Sequence, residues 1–177
     1  MKIHESDTWD ARFFAMADLV ASWSEDPSRK VGAVIVGSAN QVLSTGYNGL
    51  PRGVSDQRPE RLSRVDGEKY LWIEHAERNA LYNMLRSGVA TTGCRMYCNS
   101  FPCADCSRAL VQAGIGDLRT FGPEMADEKY GKHFQVALDL FQEAGVNVRL
   151  YSRQDAKIGQ VIKNLATARQ SENNFFR

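Results

Sequence analysis

The chain has 177 residues, of which 43% are hydrophobic and 24% charged, a composition typical of a globular protein with a full core. Its 22 basic and 21 acidic side chains give a net charge of +1, without the basic excess that nucleic-acid-binding proteins usually carry. The sequence contains no apolar run long enough to span a membrane and no apolar signal core at its N-terminus, so no membrane partner is expected. Reduced cysteines fit a cytoplasmic protein, or one in the host cytoplasm if the source is viral.

The first part of the chain predicts a helix followed by a hairpin. Ser6 and Asp7 can cap a helix over about residues 9–24. Apolar side chains recur there at helical spacing and predict one buried face, formed by Trp9, Phe13, Met16, Ala17, Val20 and Trp23. Residues 31–36 and 42–47 predict two strands joined by a short turn, hence an antiparallel pair.

A stretch of 26 residues, 49–74, follows with little periodicity. Connections of this length are uncommon unless they are functional or disordered. The stretch carries five basic and five acidic side chains, so it forms no basic patch. We interpret it as a functional insertion, with a solvated loop as the alternative.

The rest of the chain alternates helices and strands. Predicted helices cover residues 74–87, 102–113, 133–144 and 155–170, and predicted strands cover residues 95–100, 118–121 and 146–151. This order predicts an α/β fold, a three-layer α/β/α sandwich whose five-stranded mixed sheet is largely parallel after the first strand. In such sheets, sites form beyond the strand ends, where helices begin. Residues 1–177 then form a single domain, with residues 171–177 as a tail.

Two short motifs, residues 75–77 and 102–106, carry the chemistry. Their metal-binding side chains are His75, Cys103 and Cys106. Three protein ligands leave the fourth position of a tetrahedral zinc open for water, as in catalytic sites. Glu77 lies close to a ligand without being one, so it is free to move protons. A lone C-x-x-C pair could serve redox chemistry or a structural zinc, but the two halves together match the H-x-E…P-C-x-x-C signature of zinc-dependent nucleobase deaminases.

A third motif lies at residues 44–53, with the sequence STGYNGLPRG. Its Asn-Gly pair is a turn signal by itself. Taken with the zinc motifs, it resembles the cytidine deaminase superfamily, and within it the deoxycytidylate (dCMP) deaminases, over roughly residues 9–151. The riboflavin-pathway deaminases space their cysteines more widely, and the tRNA adenosine deaminases lack the Gly-Tyr-Asn-Gly run.

The resemblance implies zinc-dependent hydrolytic deamination of dCMP to dUMP and ammonia. Zinc would lower the pKa of a bound water to about 7. Glu77 would accept its proton and pass it to the pyrimidine N3, hydroxide would add to C4, and Glu77 would then protonate the departing amino group. Residues 49–74 contain no Cys or His for a second metal, so a single zinc is expected.

The resemblance also suggests where the substrate binds. The backbone of Ala76 would contact the base, a carbonyl near Ser100 would receive the leaving amine, and Asn48 would bind the deoxyribose hydroxyl. A 5′-phosphate requires cations or hydrogen-bond donors. The candidate phosphate contacts are Tyr130, which follows Lys129 in the loop after the fourth strand, and Ser28, which precedes Arg29 and Lys30 before the first strand. For Arg29 and Lys30, a solvated strand end is the alternative.

The resemblance further implies a homo-oligomer, expected to be a hexamer, that is activated by dCTP and inhibited by dTTP. We expect the Gly-Tyr-Asn-Gly region and adjacent basic residues to contact such a triphosphate together with Mg²⁺. The candidate effector contacts are Tyr47, Asn48, Gly49, Pro51, Arg52, Gly53 and Lys30.

Two other functions compete with this interpretation. A tRNA or single-stranded DNA deaminase would share the zinc chemistry, but the near-neutral charge and the Gly-Tyr-Asn-Gly run disfavour it. A non-catalytic zinc module should show a fourth protein ligand. Three features stay outside the motifs: Cys94 and Cys98, which we expect to pack in or beside a strand; Glu74, whose simplest role is a helix cap; and the terminal pair Phe175 and Phe176, expected in the tail.

Overall fold

The computed structural model describes residues 2–172, and in the last helix it describes side chains up to Asn164. Phe175 and Phe176 lie outside the described residues. The helices are α1 (Thr8–Ala21), α2 (Lys69–Trp72), α3 (Ala76–Arg86), α4 (Ala104–Gln112), α5 (Gly131–Glu143) and α6 (Ala156–Glu172). The strands are β1 (Gly32–Val36), β2 (Val42–Tyr47), β3 (Arg95–Cys98), β4 (Asp117–Phe121) and β5 (Asn147–Tyr151). Within residues 2–172, no helix is both long and apolar enough to cross a membrane.

The sheet has the order β2-β1-β3-β4-β5. Strand β1 pairs antiparallel with β2 and with β3, whereas β3, β4 and β5 are parallel. Helices α3, α4 and α5 pack on one face, and α1 and α6 pack on the other. Every residue of β1 is buried, because the strand is covered on both faces. The predicted α/β/α sandwich with a mixed five-stranded sheet is confirmed.

Helix α1 begins as its sequence predicts and ends earlier. Asp7 accepts a hydrogen bond from the backbone of Asp10 at 2.7 Å, and Asp10 accepts one from the backbone of Asp7 at 3.1 Å, which is a reciprocal cap. The predicted buried face is wrong at its two tryptophans, since Trp9 is 44% and Trp23 is 53% exposed. Trp9 lies in the first turn at the rim, and Trp23 follows the helix, packing edge-on against Tyr47.

Helix α3 lies directly against the edge strand β2. A Cβ atom at Gly46 would come within 2.4 Å of the carbonyl oxygen of Ala76 and 2.3 Å of the amide nitrogen of Ala80, so a side chain does not fit there. On the same helix, the amides of Asn79 and Asn83 donate to backbone carbonyls of β2 at 2.8 Å each. These contacts fix the start of α3, and with it the first zinc motif, relative to the sheet.

The insertion between β2 and α3 is folded. It contains two short 3-10 turns, Pro59–Leu62 and Val65–Gly67, followed by α2. Buried Lys69 anchors it to the body of the protein through an ion pair with Asp26. The lack of periodicity in this stretch therefore reflects short elements held by tertiary contacts, and the solvated-loop alternative does not apply to Lys69.

Two further predictions concern single residues. Cys94 and Cys98 are buried free thiols, and burial raises the pKa of each, so they pack as the sequence suggested. Asp155 accepts hydrogen bonds from the backbone of Lys157 and Ile158 at the start of α6 and so caps this helix. That helix extends to Glu172, two residues beyond its predicted end.

Candidate active site

Three metal-binding side chains meet where two helices begin. His75 is the residue before α3 and Cys103 is the residue before α4, whose first turn carries Cys106. The Nδ1 atom of His75 lies 3.5 Å from the Sγ of Cys103 and 3.4 Å from the Sγ of Cys106. The sequence predicted this triad, and within residues 2–172 it is the group of three such ligands close enough to share a metal ion.

The spacing of the triad fits a tetrahedral zinc. Bonds of about 2.3 Å to sulfur and about 2.0 Å to nitrogen, at tetrahedral angles, place an N···S pair about 3.5 Å apart. Both observed N···S distances agree with this value. All three ligand atoms lie within 4.8 Å of one another. The described residues contribute three ligands to this group, which leaves one coordination position for water.

The protonation of the triad also favours a cation. The pKa of the Cys103 thiol is lowered to about 4, first by its hydrogen bond with Cys106 and further by one with His75. The pKa of Cys106 is raised, because it shares its proton with the Cys103 thiolate and is buried. The hydrogen bond with Cys103 raises the pKa of His75. A divalent cation would replace these shared protons and hold both sulfurs as thiolates.

Glu77 lies beside the triad in the first turn of α3 and is only 4% exposed. Burial raises the pKa of its carboxyl group, since removal from water disfavours the charged form. The nearby His75 acts in the opposite direction. A carboxyl group beside a metal position, with a pKa above its usual range, can both accept and return a proton.

One cavity joins Glu77 to most of the predicted substrate contacts. It is lined by His75 and Glu77 together with the predicted contacts Asn48, Ala76, Ser100 and Tyr130. Ser28 lies outside the lining and is exposed. Its hydroxyl donates to Asp26 at 2.6 Å and accepts from the Nζ of Lys69 at 2.6 Å. The structure thus places Ser28 as a support for the cavity wall.

The amide of Asn48 is already bonded within the protein. Its Nδ2 donates to the carboxylate of Asp26 at 3.0 Å and to the carbonyl of Arg29 at 2.9 Å. Its Oδ1 accepts from the backbone of Val31 at 2.7 Å. The remaining polar capacity of this side chain is the second lone pair of Oδ1, which can accept from a substrate hydroxyl.

Several lining residues were missed by sequence reasoning. They are polar side chains brought from other segments and apolar groups that form the walls: Asp26, Arg64, Lys69, Tyr70, Val31, Ile73, Phe101 and Phe134. Lys69 and Tyr70 belong to the insertion, where no local pattern marks them. Asp26 stands in an Asp-Pro pair that indicates only the end of a helix.

The predicted effector residues, apart from Asn48, do not line this cavity. Tyr47, Gly49, Pro51, Arg52, Gly53 and Lys30 are all outside the cavity lining. Arg52 donates to the side chain of Asn83, and Lys30 approaches the backbone carbonyl of Ser22 at 3.5 Å. Of the candidate effector contacts, Asn48 is the one that also lines the cavity.

Glu74 has a role that the sequence did not reveal. Its Oε1 atom accepts a hydrogen bond from the backbone of His75 at 2.8 Å and pairs with Arg78, one turn along α3. This contact is close to the helix cap predicted for Glu74, since its carboxylate accepts from the backbone N–H of His75 at the start of α3. The contact also holds the backbone of a zinc ligand.

Comparison with known proteins agrees with this site. Residues 7–121 match the family described as the cytidine and deoxycytidylate deaminase zinc-binding region. An uncharacterized deaminase of Aliivibrio fischeri is 41% identical over 143 residues, which cover 79% of this chain and 91% of that protein. Human deoxycytidylate deaminase is 36% identical over 154 residues, which cover 85% of this chain and 83% of that protein. The crystal structure of the dCMP deaminase from the cyanophage S-TIM5, in complex with dCMP and dUMP, aligns with a TM-score of 0.68 and 27% identity, covering 83% of this chain and 99% of that one.

The fold and the site together define a zinc-type deaminase. A three-ligand metal position and a buried non-ligand glutamate lie at the helix starts of an α/β/α sandwich, as the chemistry requires. The chain belongs to the cytidine and deoxycytidylate deaminase family, which confirms the resemblance found in its sequence.

Proposed function

We propose that this deaminase converts dCMP to dUMP and ammonia. The observation that carries the proposal is the cavity in which His75 and Cys103 of the metal-binding triad, together with Glu77, meet the predicted base contacts. Its relatives support the choice of substrate, since one is a human deoxycytidylate deaminase and another was crystallised with dCMP and dUMP. The reaction replaces the C4 amino group of cytosine by oxygen from water.

Glu77 is the proton carrier in this mechanism. His75, Cys103 and Cys106 would hold a zinc ion, which when bound would act as a Lewis acid and lower the pKa of a water to about 7. The Glu77 carboxylate accepts a proton from the attacking water and delivers it to N3 of the base. Once oxygen has added to C4, the Glu77 carboxylate accepts the proton of the new C4 hydroxyl and delivers it to the amino group, so that the C4–N bond breaks, the C4 carbonyl forms and ammonia leaves. A single carboxyl group can make both transfers because burial keeps its pKa above the usual value.

Aromatic walls of the cavity can orient the base. Phe101 packs edge-on against Phe134 with ring centroids 5.6 Å apart, and Tyr130 stacks on Phe134 at 6.0 Å. The backbone at Ala76 and Ser100 lines the same cavity and offers polar groups to the base edge and the departing amine. Apolar walls around a few placed polar groups are typical of small-molecule sites.

The direct test is ammonia release from dCMP, deoxycytidine, dCTP and a tRNA anticodon stem. We expect dCMP to be turned over and the anticodon stem to be inert. Deamination of the anticodon stem, with zinc bound and every monomer inert, would instead favour the polymer-editing alternative. A zinc-containing protein inert on all four would favour the non-catalytic module.

We also propose that dCTP activates and dTTP inhibits the enzyme through a triphosphate–Mg²⁺ site at residues 47–53. These residues lie outside the cavity, apart from Asn48, so an effector can bind them without displacing substrate. Asn48 lines the cavity and donates a hydrogen bond to Asp26, another lining residue. An effector bound at residues 47–53 can therefore change the position of side chains in the substrate cavity. Velocity curves against dCMP that respond to neither triphosphate would remove the effector site.

A homo-hexamer in the cytoplasm completes the proposal. Trp23 packs edge-on against Tyr47, and both rings are exposed. They form an apolar surface beside residues 48–53 that a second subunit can cover. All four cysteines are free thiols, which suit a reducing compartment. Sedimentation of the zinc-loaded protein, with and without dCTP, measures the assembly directly.

A further inference from the structure

Glu74 is the last residue of the insertion and directly precedes the metal ligand His75. Both of its backbone polar groups pair with Gly49: its N–H donates to the carbonyl of Gly49 at 2.9 Å, and its carbonyl accepts from the N–H of Gly49 at 3.0 Å. Its side-chain Oε1 accepts from the backbone N–H of His75 at 2.8 Å. One residue therefore joins the closed base of the insertion to the backbone of a metal ligand.

The start of α3 explains why this contact matters. His75 stands at the N-cap position, where a short polar side chain usually accepts a hydrogen bond from the first turn of the helix. The side chain of His75 makes no such bond, because its imidazole lies with Cys103 and Cys106 in the metal-binding triad. Its backbone is held at both polar groups, since its N–H donates to Glu74 and its carbonyl accepts from the N–H of Asn79 at 2.9 Å. The carboxylate of Glu74 thus pairs an N–H that the helix itself leaves without a partner.

The carboxylate of Glu74 is itself held by a charged partner. Arg78, one turn along α3, donates from Nε to Oε1 at 2.6 Å, and its Nη2 lies 2.5 Å from the same oxygen. The side chains of Arg78 and Glu74 are 26% and 20% exposed, so solvent screens this pair only in part. The ion pair therefore keeps the carboxylate oriented towards the N–H of His75.

The base of the insertion also positions part of the substrate cavity. The insertion contributes four lining residues, which are Arg64, Lys69, Tyr70 and Ile73. Ile73 precedes Glu74 in the chain and is only 9% exposed. Opening of the pair between Gly49 and Glu74 would displace these lining residues. It would also withdraw the carboxylate of Glu74 from His75.

We propose that Glu74 is a positioning residue that couples metal binding to closure of the insertion: it holds the backbone of His75 in place for the metal, and a bound metal in turn favours the closed insertion. Such coupling is reciprocal, because two events that stabilise the same arrangement stabilise each other. Residues that bond to a metal ligand without touching the metal commonly affect metal affinity. The inference goes beyond the proposed function, since it does not depend on which nucleotide is deaminated.

The zinc affinity of the full chain tests the effect of Glu74 on the metal. Glu74→Ala removes the acceptor for the N–H of His75, whereas Glu74→Gln keeps an oxygen that can accept. The matched control is Glu68→Ala, at a half-buried glutamate of the same insertion that accepts from Nε1 of Trp72, one turn along, at 3.0 Å. In competition with a chromophoric chelator, we expect Glu74→Ala to bind zinc about tenfold to a hundredfold more weakly than the control, and Glu74→Gln to recover part of this loss.

The absorption spectrum of the cobalt-substituted proteins separates a change at the metal from a loss of stability. The visible bands of Co²⁺ depend on the arrangement of its ligands, so a displaced His75 changes their positions or intensities. We expect an altered spectrum for Glu74→Ala and an unaltered one for Glu68→Ala. A Glu74→Ala protein that matches the control in both zinc affinity and spectrum would make Glu74 a helix cap only and overturn the proposal.

Hydrogen exchange of backbone amides tests the effect of the metal on the insertion. The amides of Gly49 and Glu74 donate the two closing bonds, and the amides of β1, a strand paired on both sides, report the stability of the whole fold. We expect zinc to slow exchange at Gly49 and Glu74 by about fivefold or more relative to β1, and the extra protection of Gly49 to be lost in Glu74→Ala. Equal protection at all of these amides, or extra protection of Gly49 that persists in Glu74→Ala, would overturn the coupling. Wild-type protein that binds no zinc would overturn the metal site together with this inference.

Discussion

Gly49 and Glu74 exchange two backbone hydrogen bonds, at 3.0 and 2.9 Å, so the two ends of the insertion meet one residue before the zinc ligand His75. The residues between them form a closed loop. Such a loop can vary in length or sequence without moving its base, because the paired ends keep their own hydrogen bonds. The insertion can therefore determine which substrate is bound while the metal site stays fixed.

The proton-carrying role of Glu77 predicts a specific loss. Glu77→Gln keeps the size of the side chain and all three metal ligands, but it can neither accept nor return a proton. We expect zinc content to remain at one per chain while kcat for dCMP falls by about a hundredfold to ten-thousandfold, the usual contribution of general acid–base catalysis. The exposed Glu60, in the insertion, provides the control Glu60→Gln. A Glu77→Gln protein that retains a tenth or more of the activity would contradict the assignment.

A buried ion pair behind the sheet predicts how stability changes with pH. Burial alone would raise the pKa of Asp10, but hydrogen bonds from the backbone of Asp7, from Tyr97 and from Arg119 outweigh it, so this pKa is lowered. A lowered pKa in the folded state means that the carboxylate stabilises the fold above the unfolded value of 3.8 and loses that effect as pH falls through the folded value. We expect Asp10→Asn to reduce the free energy of unfolding by about 3 kcal/mol at pH 7, since it removes the buried carboxylate that pairs with Nη1 of Arg119 and leaves that guanidinium only its ion pair with Asp117.

Denaturant titrations of wild type and Asp10→Asn at several pH values measure this effect. The difference between the two proteins should be constant around neutrality and shrink below the unfolded pKa of 3.8. A difference that stays the same at pH 3 and pH 7 would show that the carboxylate charge is not what stabilises the fold. The site lies on the face of the sheet covered by α1 and α6, away from the zinc, so zinc content is the control.

Asn48 predicts a combined effect on stability and binding. Its side chain makes three hydrogen bonds, to Asp26, Arg29 and Val31. Asn48→Ala removes all three and should lower the free energy of unfolding by about 2–3 kcal/mol while raising the KM for dCMP. Asn48→Asp should be worse than alanine, because it places a second carboxylate beside that of Asp26. Equal stability of the alanine and aspartate variants would argue against this like-charge repulsion.

The zinc site could be predicted from the sequence because its parts are local. His75 and Glu77 are two positions apart, and Cys103 and Cys106 are three apart. Each pair stands at the start of a helix that the spacing of its apolar residues predicts. The fold followed from the alternation of elements in the same way. Helical spacing did not predict the exposure of Trp9 correctly. Spacing shows which side chains share one face of a helix, but it does not show how much of that face the sheet covers.

The wall of the cavity could not be predicted, because its contacts are distant in sequence. Lys69 and Asp26 are separated by 43 positions, and neither stands in an apolar pattern that would mark it as buried. Each was one of many charged side chains in a balanced composition. Their burial is decided by the closure of the insertion at Gly49 and Glu74, a tertiary event that no local pattern records.

The contact between β2 and α3 predicts that one added methyl group disturbs the active site. In Gly46→Ala, the new Cβ meets backbone atoms of Ala76 and Ala80 at 2.4 and 2.3 Å, and backbone cannot move aside as a flexible side chain could. We expect the free energy of unfolding to fall by about 1–3 kcal/mol, as overpacking usually causes. Zinc affinity and kcat should fall as well, because α3 begins with the ligand His75 and carries Glu77.

Gly159→Ala is the matched control for this change. Gly159 lies inside α6, and a Cβ atom there would meet nothing within 4 Å. Alanine at such a helical position should raise the free energy of unfolding by about 0.5–1 kcal/mol and leave activity unchanged. Thermal unfolding and zinc titration of both variants provide the comparison. If Gly46→Ala binds zinc as tightly as Gly159→Ala, then the close approach of α3 to β2 does not determine the geometry of the metal site.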